Sequence, residues 1–195
     1  MTGPERMSSP LNRDMLEAVF EPDELITSPE SILGPVTNAD AREVLRTLGI
    51  PVWENPWFDL DAGIGERLER VAEWDWELSD RFDQVPPGAD GWIGLGLFPY
   101  DDIAFDPDSG KVYCLPQDDE IYLVNSSLRS FVHFLYLLKA ESPNYEWESN
   151  GTAELEATRL RIRETMASVD PAALENPDSC WFEVLMYIVD PEHHY

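Results

Sequence analysis

The hydrophobic pattern changes from strand-like to helical spacing near residue 126, and this change constrains the possible folds more than any other feature of the sequence. Over residues 91–124 the chain consists of short apolar runs separated by turn sequences, of which Asp106-Pro107-Asp108-Ser109-Gly110 is the clearest. Over residues 128–138, apolar residues recur at helical spacing. Strands followed by helices predict an α+β fold with an antiparallel sheet at its centre.

The remaining segments add predicted helices before and after this sheet. Asn38 is a suitable N-cap for a helix over residues 39–48, which Gly49 and Pro51 would end. The segment 63–85 fits a helix with Leu68 and Val71 on one face, but its aromatic residues suit a strand as well. The predicted strands are 92–98, 103–105, 111–115 and 121–124, with a short strand within 52–61, and the other predicted helices are 12–20, 128–138, 152–168 and 177–189.

The length of 195 residues fits one domain, and we expect residues 1–11 to form a flexible tail before a single domain over 12–195. No apolar run approaches the roughly 20 residues that a membrane span needs. The first ten residues do not read as a signal peptide, which predicts a cytoplasmic protein. Cys114 and Cys180 have apolar neighbours, which favours small buried side chains over a disulfide framework.

The net charge of −26, from 39 acidic and 13 basic residues, excludes several classes of partner. Binding to a nucleic acid backbone depends on lysine and arginine side chains that neutralise phosphates, and docking on anionic lipid has the same requirement. The charge therefore predicts no nucleic acid and no membrane among the partners, and it favours a basic protein. The solubility of a generally acidic bacterial protein explains the same charge without any partner.

Two short motifs resemble ligand sites but fit structural roles better. Gly94-Leu95-Gly96 lacks the third glycine of a dinucleotide-binding loop, because Pro99 stands in its place, and the run continues as a strand. We interpret these glycines as small residues beside which another element packs closely. Asp106-Pro107-Asp108-Ser109-Gly110 resembles the start of a calcium loop, but its glycine comes one position early and Gln117 stands where a bidentate glutamate is required. We interpret this segment as a hairpin turn.

Neither the histidines nor the known catalytic motifs indicate an enzyme. The three histidines are His133, His193 and His194, and the adjacent pair points apart, so it is poorly suited to chelating one metal. The chain has no Gly-x-Ser-x-Gly sequence, phosphate-binding loop or cysteine–histidine pair, and its many carboxylates do not single out an acid–base pair. We therefore predict no catalytic residues, no metal and no cofactor.

Acidic residues concentrate in the turns of the predicted sheet. Between Phe82 and Leu128 the chain has nine acids and one base, Lys111. Aromatic side chains among carboxylates suit a surface that receives a basic partner, since the aromatics supply anchors and the carboxylates steer the encounter. The alternative is that turns are acidic in an acidic protein. The candidate partner-binding residues are Trp92, Tyr100, Asp101, Asp102, Asp118, Asp119 and Glu120.

Four segments match a known family in their order and spacing: LRTLGIP at 45–51, IAFDPDSGKVY at 103–113, VNSSLRSF at 124–131 and WFEVL at 181–185. Together they resemble the fourth branch of the SUKH superfamily of bacterial immunity proteins, over residues 12–190. The resemblance implies one antiparallel sheet flanked by helices. It also implies binding and neutralisation of a cognate polymorphic toxin, often a nuclease or nucleic-acid deaminase. The family has no catalytic residues to carry over, and its toxin-binding surface varies between members.

Three functions remain open at this point. An acidic immunity protein would occupy the basic cleft of its toxin and exclude the substrate. A regulatory or scaffold protein could use the same fold to bind another protein, and an enzyme could use a carboxylate site that no motif marks. An adjacent toxin gene favours the first function, and its absence favours the second. The sequence assigns neither the activity of the toxin nor an oligomeric state.

Overall fold

The computed structural model describes residues 10–190, and an antiparallel sheet of five strands lies at its centre. Each strand of this sheet pairs with its neighbour in sequence. The strands are β3 (Asp59–Leu60), β4 (Ile93–Phe98), β5 (Asp101–Phe105), β6 (Val112–Leu115) and β7 (Tyr122–Asn125), while β1 (Leu25–Ile26) and β2 (Ile50–Pro51) form a separate antiparallel pair. The predicted α+β class is confirmed, and the two-stranded sheet is an addition to the single sheet expected.

Six α-helices accompany the sheets within the described residues. They are α1 (Arg13–Glu17), α2 (Ala39–Glu43), α3 (Leu78–Arg81), α4 (Leu128–Glu141), α5 (Thr152–Val169) and α6 (Cys180–Val189). The predicted cap at Asn38 is confirmed, because its side chain accepts a hydrogen bond from the Ala41 N–H at 2.9 Å. A π-helical turn, Val44–Leu48, continues α2, and Gly49 follows it with a φ of 82°.

The helical alternative for the segment 63–85 is wrong for most of its length. Only α3 and two short 3₁₀ turns, Ala62–Gly65 and Val71–Glu73, are helical there. After the second turn, Trp74 and Trp76 pack against a hydrophobic cluster on one face of the five-stranded sheet. Burial against the sheet therefore decides the local conformation, which the intrinsic preferences of these residues leave open.

The five-stranded sheet is covered on both faces because its strands alternate between two hydrophobic clusters. Ile103 and Phe105 of β5 belong to the main cluster with α4 and α6, whereas Ala104 between them belongs to the second cluster. The segment 71–92 supplies most of the second cluster and covers that face, which we call the outer face. On the other side, α4 is buried over most of its surface, which confirms the prediction of a core helix.

The glycines of β4 allow a neighbouring strand and a ring to approach closely. A Cβ atom on Gly96, whose φ is 132°, would overlap the carbonyl oxygen of Asp59 in β3. A Cβ atom on Gly94 would lie 3.1 Å from Cζ2 of Trp74. The interpretation of Gly94-Leu95-Gly96 as small residues beside packed elements is therefore confirmed.

Asp106 organises the β5–β6 turn through its own carboxylate. One carboxylate oxygen accepts a hydrogen bond from the Asp108 N–H at 2.9 Å, and the other accepts one from the Ser109 hydroxyl at 2.6 Å. Gly110 has a φ of 77°, and its N–H donates to the Asp106 carbonyl at 2.8 Å. These contacts confirm the hairpin turn, and they use the carboxylate oxygens that a calcium loop would present to the ion.

Several expectations concern the ends of the chain, its cysteines and membranes. Residues 1–9 of the predicted tail over residues 1–11 lie outside the described residues. His193 and His194 lie outside them as well. Cys114 and Cys180 are buried without a disulfide, as their apolar neighbours predicted. Within residues 10–190, none of the helices has both the length and the apolar composition needed to cross a membrane.

A buried carboxylate joins the start of α4 to the end of α5. Asp170 is 2% exposed and accepts hydrogen bonds from the Ser126 N–H at 2.8 Å, the Ser130 hydroxyl at 2.8 Å and the Asn125 side-chain amide at 3.0 Å. Burial alone would raise the pKa of Asp170, but these three donors outweigh it and hold that pKa below its ordinary value. The negative charge also lies beside the N-terminus of α4, where the helix dipole stabilises it.

Candidate partner-binding surface

Two loops at one end of the sheet bring most of the predicted partner-binding residues together. The β4–β5 turn carries Tyr100, and the β6–β7 loop carries the acids at 118–120. Gln117 joins the two loops, because its side-chain amide donates to the Tyr100 carbonyl at 2.9 Å and its backbone N–H donates to an Asp101 carboxylate oxygen at 3.0 Å. Acids that are far apart in the sequence therefore lie side by side.

A cleft of about 350 Å³ opens beside these loops. Its lining residues are Arg81, Phe82, Asp83, Gln84, Gln117, Asp118, Asp119 and Glu120. Four of these eight residues are acidic, and Arg81 is the one base among them. The acids at 118–120 are exposed to solvent, so a partner can reach them. We call this feature the acidic cleft.

Asp101 and Asp102 differ from the other candidate acids because both are half-buried and have structural partners. Asp102 pairs with Arg81 at 3.2 Å, and Asp101 accepts the hydrogen bond from Gln117. Burial raises the pKa of both carboxyl groups, and Arg81 opposes the rise in each case. These two aspartates therefore tie the loops and the outer-face segment together, while the acids at 118–120 are more exposed to solvent.

The two candidate aromatic residues lie at opposite ends of β4. Tyr100 is 72% exposed beside the acidic loops. Trp92 is only 3% exposed, and its ring stacks on that of Tyr113 with the centroids 4.2 Å apart. The structure therefore does not bring Trp92 to the acidic loops, because the length of β4 separates them. Its ring supports the outer face of the sheet instead.

The sequence interpretation did not single out Arg81, Trp74 or Trp76 at this surface. The Arg81 guanidinium lies over the Trp76 ring, 3.7 Å from its centroid. Trp74 and Trp76 are half-buried, and their ring centroids are 5.3 Å apart. The available signal was the strict alternation Glu73-Trp74-Asp75-Trp76-Glu77, which argues against a helix in this part of the segment.

The chemistry of the acidic cleft suits the binding of cationic groups. Its lining side chains are carboxylates, amides, one guanidinium and one phenyl ring.

Away from the cleft, burial raises the pKa of the Cys114 thiol to about 12, so the thiol stays protonated and unreactive. Burial lowers the pKa of His133 on α4. Over residues 10–190, no group of His, Cys, Asp and Glu side chains is arranged to hold a metal ion.

A known protein family matches the chain over most of its length. A family model described as SUKH-4 immunity protein matches residues 11–187. Searches of curated proteins and of solved structures give no match to the chain. The matched range includes the loops of the acidic cleft and the outer-face segment.

Proposed function

The chain belongs to the SUKH-4 immunity protein family, and we propose that it acts by binding a cognate toxin and covering that toxin's active site. In this proposal the toxin is basic and is a nuclease or a nucleic-acid deaminase. The single domain over 12–195 does the binding, without catalysis and without a cofactor. The two proteins meet in the bacterial cytoplasm, where such a toxin encounters its substrate.

The acidic cleft carries this proposal. An enzyme that acts on nucleic acid has a basic cleft because its substrate is a polyanion. Acids at the mouth of the cleft complement such a surface, and complementary charge raises the association rate and orients the two partners. Beside the acids, Tyr100 presents an exposed ring of the kind that anchors protein interfaces.

Neutralising the exposed acids of the cleft is expected to slow toxin association. The triple variant Asp118→Asn, Asp119→Asn, Glu120→Gln should associate about 3- to 10-fold more slowly at low salt with the cognate toxin, identified as a neighbouring gene's product that co-purifies with the chain, because these charges steer the encounter. The difference should shrink at higher salt, since the screening length falls to about 8 Å at about 0.15 M. Surface plasmon resonance at two salt concentrations measures both effects.

The matched control is the triple variant Glu146→Gln, Glu148→Gln, Glu154→Gln. These three acids are also exposed, and they lie in and after the loop between α4 and α5, so the net charge changes equally away from the cleft. Equal slowing of both variants would assign the effect to total charge and contradict the role of the acidic cleft. Failure of the wild-type protein to bind the toxin would contradict the proposed function itself.

Removing the exposed ring beside the cleft is expected to affect dissociation instead. Tyr100→Ala should speed dissociation of the toxin complex about 10-fold, because a buried interface anchor acts mainly on the dissociation rate. Trp147→Ala is the control, since Trp147 is 46% exposed in the loop after α4. An unchanged dissociation rate for Tyr100→Ala would show that this ring stays in solvent in the complex.

A further inference from the structure

Trp74 and Trp76 form a partly open aromatic pair on the segment that covers the outer face of the sheet. Trp74 lies over Gly94 of β4, and the Trp76 ring lies 6.2 Å from that of Phe82 between centroids. Both indoles are half-buried, so packing fixes their positions while part of each ring stays in solvent. Rigid tryptophans that are partly exposed have the properties of interface anchors.

An opening of about 420 Å³ lies beside this pair. The opening is lined by Glu69, Glu73, Trp74, Asp75, Trp76 and Asp102. These six residues supply two indoles and four carboxylates. Arg67, beside the opening, pairs with Glu73 at 3.2 Å and lies 3.9 Å from Glu69, while Arg81 pairs with Asp102. Both ring faces and carboxylates attract cations, so the opening suits a positively charged side chain.

Arg81 shows how a guanidinium fits this environment. It lies 3.7 Å from the centroid of the Trp76 ring, and one of its nitrogens lies 3.2 Å from an Asp102 carboxylate oxygen. The Arg81 guanidinium is therefore held by an indole and a carboxylate at the same time. Trp74 and Asp75 place the same two groups at the opening, and Asp75 is exposed with no ion-pair partner among residues 10–190.

The four carboxylates of the opening face two guanidinium groups, those of Arg67 and Arg81, so a net negative charge remains there. Burial raises the pKa of Asp102, and the charges of Asp101 and Asp75 raise it further against the effect of Arg81. A further cation at the opening would be attracted by this net charge, with the exposed carboxylate of Asp75 as its nearest unpaired partner among residues 10–190. Arginine fits better than lysine, because its planar guanidinium stacks on an indole and bonds to a carboxylate at the same time.

We propose that the Trp74–Trp76 pair is the socket for an arginine side chain of the basic toxin, a partner whose identity rests on the proposed function. The guanidinium stacks on Trp74 and pairs with Asp75. Arg81 links this socket to the acidic cleft, because it lines the cleft and also contacts Trp76. One partner can therefore engage the steering acids and the socket together.

A titration with small peptides tests the socket without the toxin. The chain has seven tryptophans, each with one indole N–H signal in an NMR spectrum of the labelled protein, and Trp74→Phe and Trp76→Phe variants identify two of them. Millimolar acetyl-Gly-Arg-Gly-amide should shift these two signals saturably and about 3-fold more than that of Trp147. The same peptide with citrulline in place of arginine keeps the shape without the charge and should leave them unshifted.

Affinity measurements with the co-purifying cognate toxin test how the socket is used. Trp74→Ala should weaken binding about 10-fold. Asp75→Asn should weaken it about 3- to 10-fold, and this variant changes an exposed charge without disturbing the packing of the outer face. The controls Trp147→Ala and Asp178→Asn, both at exposed positions on other parts of the chain, should bind as the wild type does.

The outcomes separate this proposal from the proposed function. Absent shifts with the arginine peptide, or equal shifts with the citrulline peptide, overturn the socket. Wild-type affinity of both Trp74→Ala and Asp75→Asn overturns its use by the toxin. If the wild-type protein does not bind the toxin, the proposed function fails, and the peptide titration still decides whether the socket takes arginine.

Discussion

Replacing Phe131 with alanine is expected to lower the free energy of unfolding by about 3–5 kcal/mol. The side chain is fully buried on α4, and its ring centroid lies 5.7 Å from that of Phe58 and 6.0 Å from that of Trp181. The substitution removes the favourable burial of the ring and leaves a cavity between α4, α6 and the sheet. These closely packed neighbours fill such a cavity only in part. Chemical denaturation at neutral pH measures the loss.

Tyr100→Ala is the control for this measurement, because it also removes an aromatic ring but at an exposed position. Its expected effect on the free energy of unfolding is within about 0.5 kcal/mol. A loss below about 1 kcal/mol for Phe131→Ala would contradict the burial of α4 between the sheet and α6.

Replacing Asp170 with alanine is expected to cost about 3 kcal/mol at neutral pH, because hydrogen bonds to a buried charged group are worth more than neutral ones. The substitution removes the common acceptor of Asn125, Ser126 and Ser130. Asn125 and Ser130 are buried, so water does not readily replace the lost carboxylate. The connection between the start of α4 and the end of α5 is lost at the same time.

The contribution of Asp170 to the free energy of unfolding should decrease as the pH falls. Its folded-state pKa is lower than the ordinary value of 3.8, so its contribution is fully present above that ordinary value and is lost as the pH falls through the folded value. The difference in free energy of unfolding between wild type and Asp170→Ala should therefore shrink between neutral pH and about pH 2–3. Measuring this difference at each pH cancels the titration of the other acids.

Asp178→Ala is the matched control, because Asp178 is an exposed aspartate in the connection between α5 and α6. Its expected effect is within about 0.5 kcal/mol at neutral pH. A difference for Asp170→Ala that stays constant across the pH range would contradict a role for the charge and leave only the shape of the side chain to explain the loss.

Much of the fold could be predicted because its signals are local. The helical spacing of α4, the cap at Asn38 and the turn at Asp106 each depend on residues close together in the sequence. The conformation of such segments is stabilised by hydrogen bonds and turn preferences within the segment itself. The run of strands followed by a run of helices then leads to the α+β class.

The segment 63–85 could not be predicted in the same way. Its residues fit a helix or a strand, and Trp74 and Trp76 adopt their conformation because the outer face of the sheet buries part of each ring. The role of Asp170 was also hidden, since its hydrogen-bond donors lie 40 or more residues away in the chain.

The same distinction between local signals and tertiary contacts applies to the candidate partner-binding surface. By itself, the sequence determined that acids gather in the turns of the sheet and that an aromatic residue stands among them, and from these it led to the hypothesis of a basic partner. Only the tertiary structure decided that Gln117 joins the two acidic loops, that Trp92 is buried at the far end of β4, and that Arg81 lies on Trp76. The physical reason is that strand pairing and burial are interactions between distant parts of the chain, whereas charge and turn preference belong to each segment alone.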